Sequence, residues 1–425
     1  TTQNKSVPAT EARANFFRQS GWLMIANIAG GALMWGLHFL AKRLKDGEYG
    51  TFGALLTVVM VLPLMPLQMV FAQQTARALA TGRERQLAGM IRMMWLGTFV
   101  IWLFAMVFVF FQQDNILRSL QIKDSVGLWI TLIACLFAAW LPLFSGVLQG
   151  QQNFLWLGWS MMLNGLGRIG IAVAAVVLVG GYAAGLLSGV LMGLIVGSAV
   201  AIWQTSSLWR LPSEKFDTSS LMRQVTPLLI GFAAFQFLFT ADTMFAKSYF
   251  TAEQSDAYVG AGTLSRALIW VVGPLAAVMF PRIVQSAAKL EKSNLMRTVL
   301  IGTFVIAIIG ASGLVVVGPF VIKIIYPKYS SQVIEIIPWY AFTMVPLALG
   351  NVLLNNLLAK GSFRIVPLLV LLALGYGFAL TRFHDSPITV LKTLCAFNVL
   401  LLAASAWFTW RDSITPTQSS QAACS

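Results

Sequence analysis

The sequence predicts an all-α integral membrane protein of about twelve transmembrane helices in two six-helix bundles. Three observations carry that prediction. The chain of 425 residues is 58% hydrophobic and only 10% charged, far from the balance of a soluble domain. Its apolar residues gather in runs near the ~20 residues a helix needs to cross the hydrocarbon core, and short loops separate them. The first half also matches the second at one constant offset of 209 residues. Tyr49 falls on Tyr258, Val70-Phe71 on Met279-Phe280, residues 148–154 on 357–363, and Arg83 of one basic linker on Lys292 of the other. A repeat of six spans enters from the same side each time. The halves are therefore expected to be parallel repeats about an axis along the membrane normal, with a site where they meet.

Residues 1–15 are polar and slightly basic and read as a cytoplasmic segment. Phe16–Ala41 is too long for a signal-peptide core and reads as a retained first span. It holds His38, a secondary candidate whose ordinary role there is packing. The following spans read 51–73, 93–112, 126–149, 154–179, 182–208, 224–249, 258–282, 299–319, 333–359, 364–381 and 388–410. They divide into an N-terminal bundle over 16–210, a cytoplasmic linker over 211–223, a C-terminal bundle over 224–410 and a Ser/Thr/Gln-rich tail over 411–425. Prolines 63, 66, 142, 227, 274, 338, 346 and 367 are candidate bend points, each lacking the amide of a helical hydrogen bond. In the sixth span Gly181, Gly185, Gly189, Gly193 and Gly197 recur every four residues. That spacing lines one face and reads as a helix-packing seam.

An inside N-terminus puts most of the 29 Lys and Arg in inner segments, which favours cytoplasmic N- and C-termini. The inner linkers 77–92 and 282–297 mix bases with Leu, Ile and Met. They fit either amphipathic helices on anionic membrane lipids or plain basic loops. These scattered bases do not form a nucleic-acid face. Cys135, Cys395 and Cys424 have no CxxC or CxxH neighbour, so neither a disulfide framework nor a metal site is expected. Gly165-Leu166-Gly167-Arg168-Ile169-Gly170 matches GxGxxG but lies inside a span with no preceding strand, so no dinucleotide cofactor is expected. With two histidines and no GxSxG, HExxH or paired carboxylates, no catalytic constellation appears and the chain does not read as an enzyme. A membrane polymerase or ligase would need a large outer loop rich in Arg and His, and none is present.

The charges singled out within spans are Arg168, Asp242, Lys247 and Arg266. Arg168 lies near mid-membrane. Asp242 and Arg266 reach one depth if their helices are antiparallel, about 10–12 Å below a membrane face at 1.5 Å per residue. Charges so deep are costly and face a partner or a water-filled cavity. Arginine keeps its charge when desolvated and offers a planar fork of donors suited to phosphate. Arg168 and Arg266 are therefore the candidate anion-binding residues. Asp242 either neutralises Arg266 or binds a coupling cation, H+ or Na+. Lys247 is close enough to the interface to snorkel out.

Three stretches carry a resemblance: Asp242-Thr243-Met244-Phe245-Ala246-Lys247-Ser248-Tyr249-Phe250, Ala257-Tyr258-Val259-Gly260-Ala261-Gly262-Thr263-Leu264-Ser265-Arg266, and Val278-Met279-Phe280-Pro281-Arg282. Together with Gly47-Glu48-Tyr49-Gly50-Thr51-Phe52 they resemble the polysaccharide-transport, O-antigen flippase-like family of the multidrug/oligosaccharidyl-lipid/polysaccharide (MOP) exporter superfamily. The likeness spans nearly the whole chain. Ser265 stands where the family commonly has Gly. The resemblance implies a MATE-like, V-shaped pair of bundles in the bacterial inner membrane, working by alternating access. Its implied substrate is an undecaprenyl-pyrophosphate-linked oligosaccharide, with the pyrophosphate bound by Arg168 and Arg266. Polysaccharide polymerase or ligase components are implied partners. Twelve spans argue against the lipid II flippase branch, which usually has fourteen. The alternatives are a cation-coupled multidrug exporter of the same superfamily and a non-transporting membrane scaffold.

Overall fold

A computed structural model describes residues 9–62, 64–178, 180, 182–269, 295–359 and 362–414. Gly181, Pro274, Pro281, the Val278–Arg282 motif, nearly all of the 282–297 linker and most of the C-terminal tail lie outside the described residues. Among those described, the chain is helical throughout and contains no strand.

The long helices are α1 (Ala9–Gly36), α2 (Glu48–Val61), α3 (Leu64–Thr81), α4 (Glu84–Ser119), α5 (Val126–Gly150), α6 (Phe154–Leu178) and α7 (Ala183–Gln204). A short α8 (Ser206–Trp209) precedes α9 (Thr218–Tyr249) and α10 (252–269). Then come α11 (Leu295–Ile325), α12 (Ser330–Ala359), α13 (Val366–Arg382) and α14 (Pro387–Ile414). Eleven described segments are long and apolar enough to span a bilayer. The remaining expected span, 258–282, begins in α10 and runs out of the described residues. The chain is a multi-pass membrane protein.

Local chemistry explains where the helices break. The expected span 51–73 is two helices, α2 ending at Val61 and α3 beginning at Leu64. Pro142, Pro227, Pro338 and Pro346 lie inside helices. Pro367 instead opens α13 in its first turn, where a missing amide costs nothing. The linker 77–92 is the end of one helix, a turn and the start of the next. α3 runs on to Thr81, Gly82 turns at φ +68°, and α4 starts at Glu84. Only glycine takes that left-handed conformation without strain.

The helices form two compact units. The first holds the described residues up to Lys45 together with Leu62–Val225, and the second holds Asp46–Val61 and the described residues from Thr226 onward. The boundary falls within α9 beside Pro227. Sequence continuity places α2 with the first bundle, yet α2 packs in the second unit.

In the first unit Trp95 of α4 meets Phe144 and Trp140 of α5 and Trp209 of α8 edge-on, with centroids 5.1–5.6 Å apart. These rings close over the buried cluster of Phe71, Leu143, Val147 and Leu148. The glycine seam packs α7 on α6. A Cβ at Gly189 would collide with the Arg168 carbonyl oxygen, and one at Gly193 with that of Asn164. Ser160 Oγ donates to the Gly197 carbonyl at 2.9 Å across the same seam. In the second unit Asn398 of α14 donates to the Thr343 carbonyl of α12 at 3.0 Å.

Candidate functional site

Two of the intramembrane charges come together in the second unit. Arg266 of α10 donates through Nη2 to both carboxylate oxygens of Asp242 on α9, at 2.7 and 2.9 Å. Nε donates to the Phe239 carbonyl at 3.0 Å, and Nη2 also reaches Thr243 Oγ1 at 2.9 Å. The guanidinium carbon lies 5.4 Å from the Tyr340 ring centroid and 5.7 Å from that of Phe239, within cation–π range. Asp242 is fully buried, and the Arg266 side chain is 13% exposed.

Tyrosines complete the shell. Tyr258 donates to Asp242 Oδ2 at 2.9 Å, and Tyr340 donates to the same oxygen. The Tyr376 hydroxyl of α13, within electrostatic reach of Asp242, is buried with no hydrogen-bond partner among the described residues. A buried carboxylate needs this many donors, since desolvation is repaid only by good geometry and additional hydrogen bonds. Asp242 is thus engaged on both oxygens. Gly262 makes room for the arrangement, because a Cβ there would lie 2.9 Å from both Arg266 Nη1 and the Tyr340 hydroxyl.

Arg168 lies in the first unit, half-buried on α6. Its Nε is buried and has no hydrogen-bond partner among the described residues, an expensive arrangement for a cation. His38, in a 3₁₀ turn (Leu37–Arg43) after α1, is within electrostatic reach of Arg168, and its ring centroid lies 6.2 Å from that of Trp35.

Lys247 does not snorkel out. It is 5% exposed, and Nζ donates to the Gly47 carbonyl at 3.0 Å. Beside it sits an acid that sequence reasoning passed over. Asp256, in the first turns of α10 before the expected span 258–282, is fully buried. Its Oδ2 accepts the Gly47 amide at 2.8 Å and its Oδ1 the Gly50 amide at 2.6 Å. It therefore caps the N-terminus of α2 from another helix, satisfying amides that no turn of α2 can. Burial pushes the Asp256 carboxyl up to about 6, against the opposing pull of the Gly50 and Gly47 amides and of Lys247. The two helix starts fit closely. A Cβ at Gly50 of α2 would collide with Ser255 Oγ of α10, and the Tyr49 hydroxyl lies 2.9 Å from that of Tyr326, just after α11. One signal for this site was in the sequence: Gly47 and Asp256 are 209 residues apart, the spacing of the internal repeat.

Chemically, the second unit offers a neutralised Arg–Asp pair ringed by tyrosine hydroxyls, and the first offers a partly desolvated cation. Neither is a nucleophile–base constellation.

No curated protein matches the sequence. Solved structures match the fold over nearly its whole length. An inward-facing multidrug resistance MATE family transporter of the MOP superfamily aligns with TM-score 0.72 at 12% identity, covering 90% of this chain and 94% of its own. The lipid II flippase MurJ in an inward closed conformation aligns with TM-score 0.69 at 14% identity, covering 91% and 86%. A mutant of the Vibrio cholerae MATE transporter VcmN aligns with TM-score 0.65 at 13% identity, covering 95% and 97%. These likenesses establish a MATE-like, all-helical fold. The profile of one family matches residues 16–287, more than half of the chain. On that match, the chain belongs to the polysaccharide biosynthesis protein family.

Proposed function

We propose that the protein is a flippase that moves an undecaprenyl-pyrophosphate-linked oligosaccharide across the bacterial inner membrane by alternating access, with both termini cytoplasmic. Family membership supports a role in polysaccharide biosynthesis, and the MATE-like fold supports transport. One observation in the molecule carries the choice of an anionic lipid carrier. Arg168 holds a buried guanidinium nitrogen with no hydrogen-bond partner among the described residues, deep in a helix of a membrane protein. Such a cation is stabilised by an anion that arrives with the substrate, and a pyrophosphate supplies the paired acceptor oxygens that guanidinium prefers. Arg266 is the second candidate. Here Asp242 neutralises it, so a pyrophosphate at Arg266 would replace one carboxylate contact by another anion. Polymerase or ligase components of the same assembly line are the natural partners.

The multidrug reading needs an open acid for a cationic drug. Asp242 is a poor one while it holds Arg266, Tyr258 and Tyr340. A scaffold without transport would leave both arginines dispensable.

The test is reconstitution in liposomes with a fluorescent undecaprenyl-pyrophosphate glycan, scored by the fraction hidden from an external quencher. Exchange above empty liposomes, lost in Arg168→Ala and weakened in Arg266→Lys, is the expected result. Exchange at the wild-type rate by a well-folded Arg168→Ala protein would overturn the pyrophosphate assignment. Dye or cation efflux in place of glycan exchange would favour the multidrug exporter.

A further inference from the structure

We infer that Asp256 is a proton-binding site that controls how firmly α10 holds the start of α2, and that its proton is the one coupled to transport. The coupling half of this inference rests on the transport reading above, whereas the binding half does not.

The two buried acids among the described residues of the second unit differ in how their charge is compensated. Asp242 has an arginine at 2.7 Å and two tyrosine hydroxyls. Asp256 is equally buried but forms no ion pair within 4 Å among the described residues, and its two close bonds come from neutral backbone amides. Four titratable groups face it. Lys247 of α9 acts on it electrostatically but gives its Nζ hydrogen bond to the Gly47 carbonyl. Asp46, just before α2, repels it and pairs with Lys328 at 3.5 Å. Tyr49 of α2 and Tyr329 of the 3₁₀ turn before α12 complete the surroundings. A buried carboxylate with no ion pair in contact binds a proton more tightly than an exposed one.

The sign follows from linkage. Burial in the gripped arrangement raises the carboxyl to about 6. Once α2 leaves and water reaches Asp256, it returns toward about 3.9, the value of a free aspartate. The gripped form therefore binds the proton more tightly. Acid strengthens the grip, and raising the pH through 6 weakens it by roughly tenfold in equilibrium constant between pH 5 and 7.5. A carboxyl with unequal proton affinity in two arrangements is what a coupling site requires. The held segment is also well placed for it, because α2 is continuous at both ends with residues of the first unit.

The amides that Asp256 accepts give the readout. Hydrogen exchange of the peptide covering Gly47–Gly50 is measured on the full chain in nanodiscs at pH 5 and 7.5, each corrected for intrinsic exchange. Protection about tenfold higher at pH 5 is expected in the wild type, and Asp256→Asn, neutral at every pH, is expected to show no pH dependence. Equal protection at both pH values in the wild type, or an unchanged pH profile in Asp256→Asn, overturns the proton site. A second arm imposes a pH gradient on the glycan-exchange liposomes. The wild type is expected to respond several-fold and Asp256→Asn to lose the response. A wild type that exchanges glycan but ignores the gradient overturns the coupling. Absence of any glycan exchange counts against the flippase reading alone, and the amide measurement then decides the proton site by itself.

Discussion

Arg266 Nη2 stands 2.7 Å from Asp242 Oδ1 and 2.9 Å from Oδ2 at a point where Asp242 is wholly removed from solvent. Charges so placed are held by each other. Removing one partner strands the other, whereas replacing both with apolar side chains of similar size does not.

Arg266→Ala is therefore expected to destabilise the protein by about 3–5 kcal/mol, because it leaves Asp242 buried without its counter-charge. Asp242→Leu combined with Arg266→Met should recover most of that loss while glycan exchange stays absent. Thermal unfolding of the single and double variants in detergent, arranged as a double-mutant cycle, checks this. A double variant no more stable than Arg266→Ala would show that the pair is not the origin of the loss.

The α6–α7 seam gives a contrast between glycines. At Gly189 a Cβ would collide with the Arg168 carbonyl oxygen and stand 2.6 Å from the Ala172 Cβ, whereas at Gly170 it would meet nothing within 4 Å. Gly189→Ala should cost about 1–3 kcal/mol or more, since helix backbones cannot yield as a flexible side chain does. Gly170→Ala should be neutral or stabilise by up to ~1 kcal/mol through helix propensity. Melting temperatures of the two variants, measured side by side, test the difference.

Spans, the glycine seam and the Asp242–Arg266 encounter were legible because each rests on local pattern: apolar run length, spacing of four, and equal depth on adjoining helices. Tyr340 and Tyr376 were not, since no local rule ties α12 or α13 to a carboxylate on α9. Lys247 was misread for a related reason. Depth alone suggested escape to the interface, but the Gly47 carbonyl that holds it is 200 residues away. The place of α2 was hidden likewise. Its apolar run looks like any other in the first half, and what seats it in the second unit is a cap supplied by Asp256 and the close fit of Gly50 on Ser255.

That fit yields a suppressor experiment. In Gly50→Ala the new methyl would collide with Ser255 Oγ and lie 3.0 Å from its Cβ. Such overpacking typically costs about 1–3 kcal/mol, and here it should also lower the exchange protection of the α2 amides. Ser255→Gly removes both of those atoms, so the double variant should regain much of the protection. If Ser255→Gly gives no rescue, α2 is not seated against Ser255 as described.

Arg168 presents the opposite stability case from Arg266. Its Nε is buried with no hydrogen-bond partner among the described residues, so the substrate-free protein gains little from the charge and bears its desolvation. Arg168→Ala should therefore change the stability of the substrate-free protein far less than Arg266→Ala does. The difference should appear on adding undecaprenyl pyrophosphate. A ligand that binds only the folded state at a hundredfold excess over its Kd stabilises by about 2.7 kcal/mol, so the wild type should melt higher with the lipid than without it. Arg168→Ala should lose most of that increment while its substrate-free melting temperature stays close to the wild-type value. An equal ligand-induced rise in both proteins would place the pyrophosphate elsewhere, and a large loss of stability in substrate-free Arg168→Ala would make this arginine a structural one.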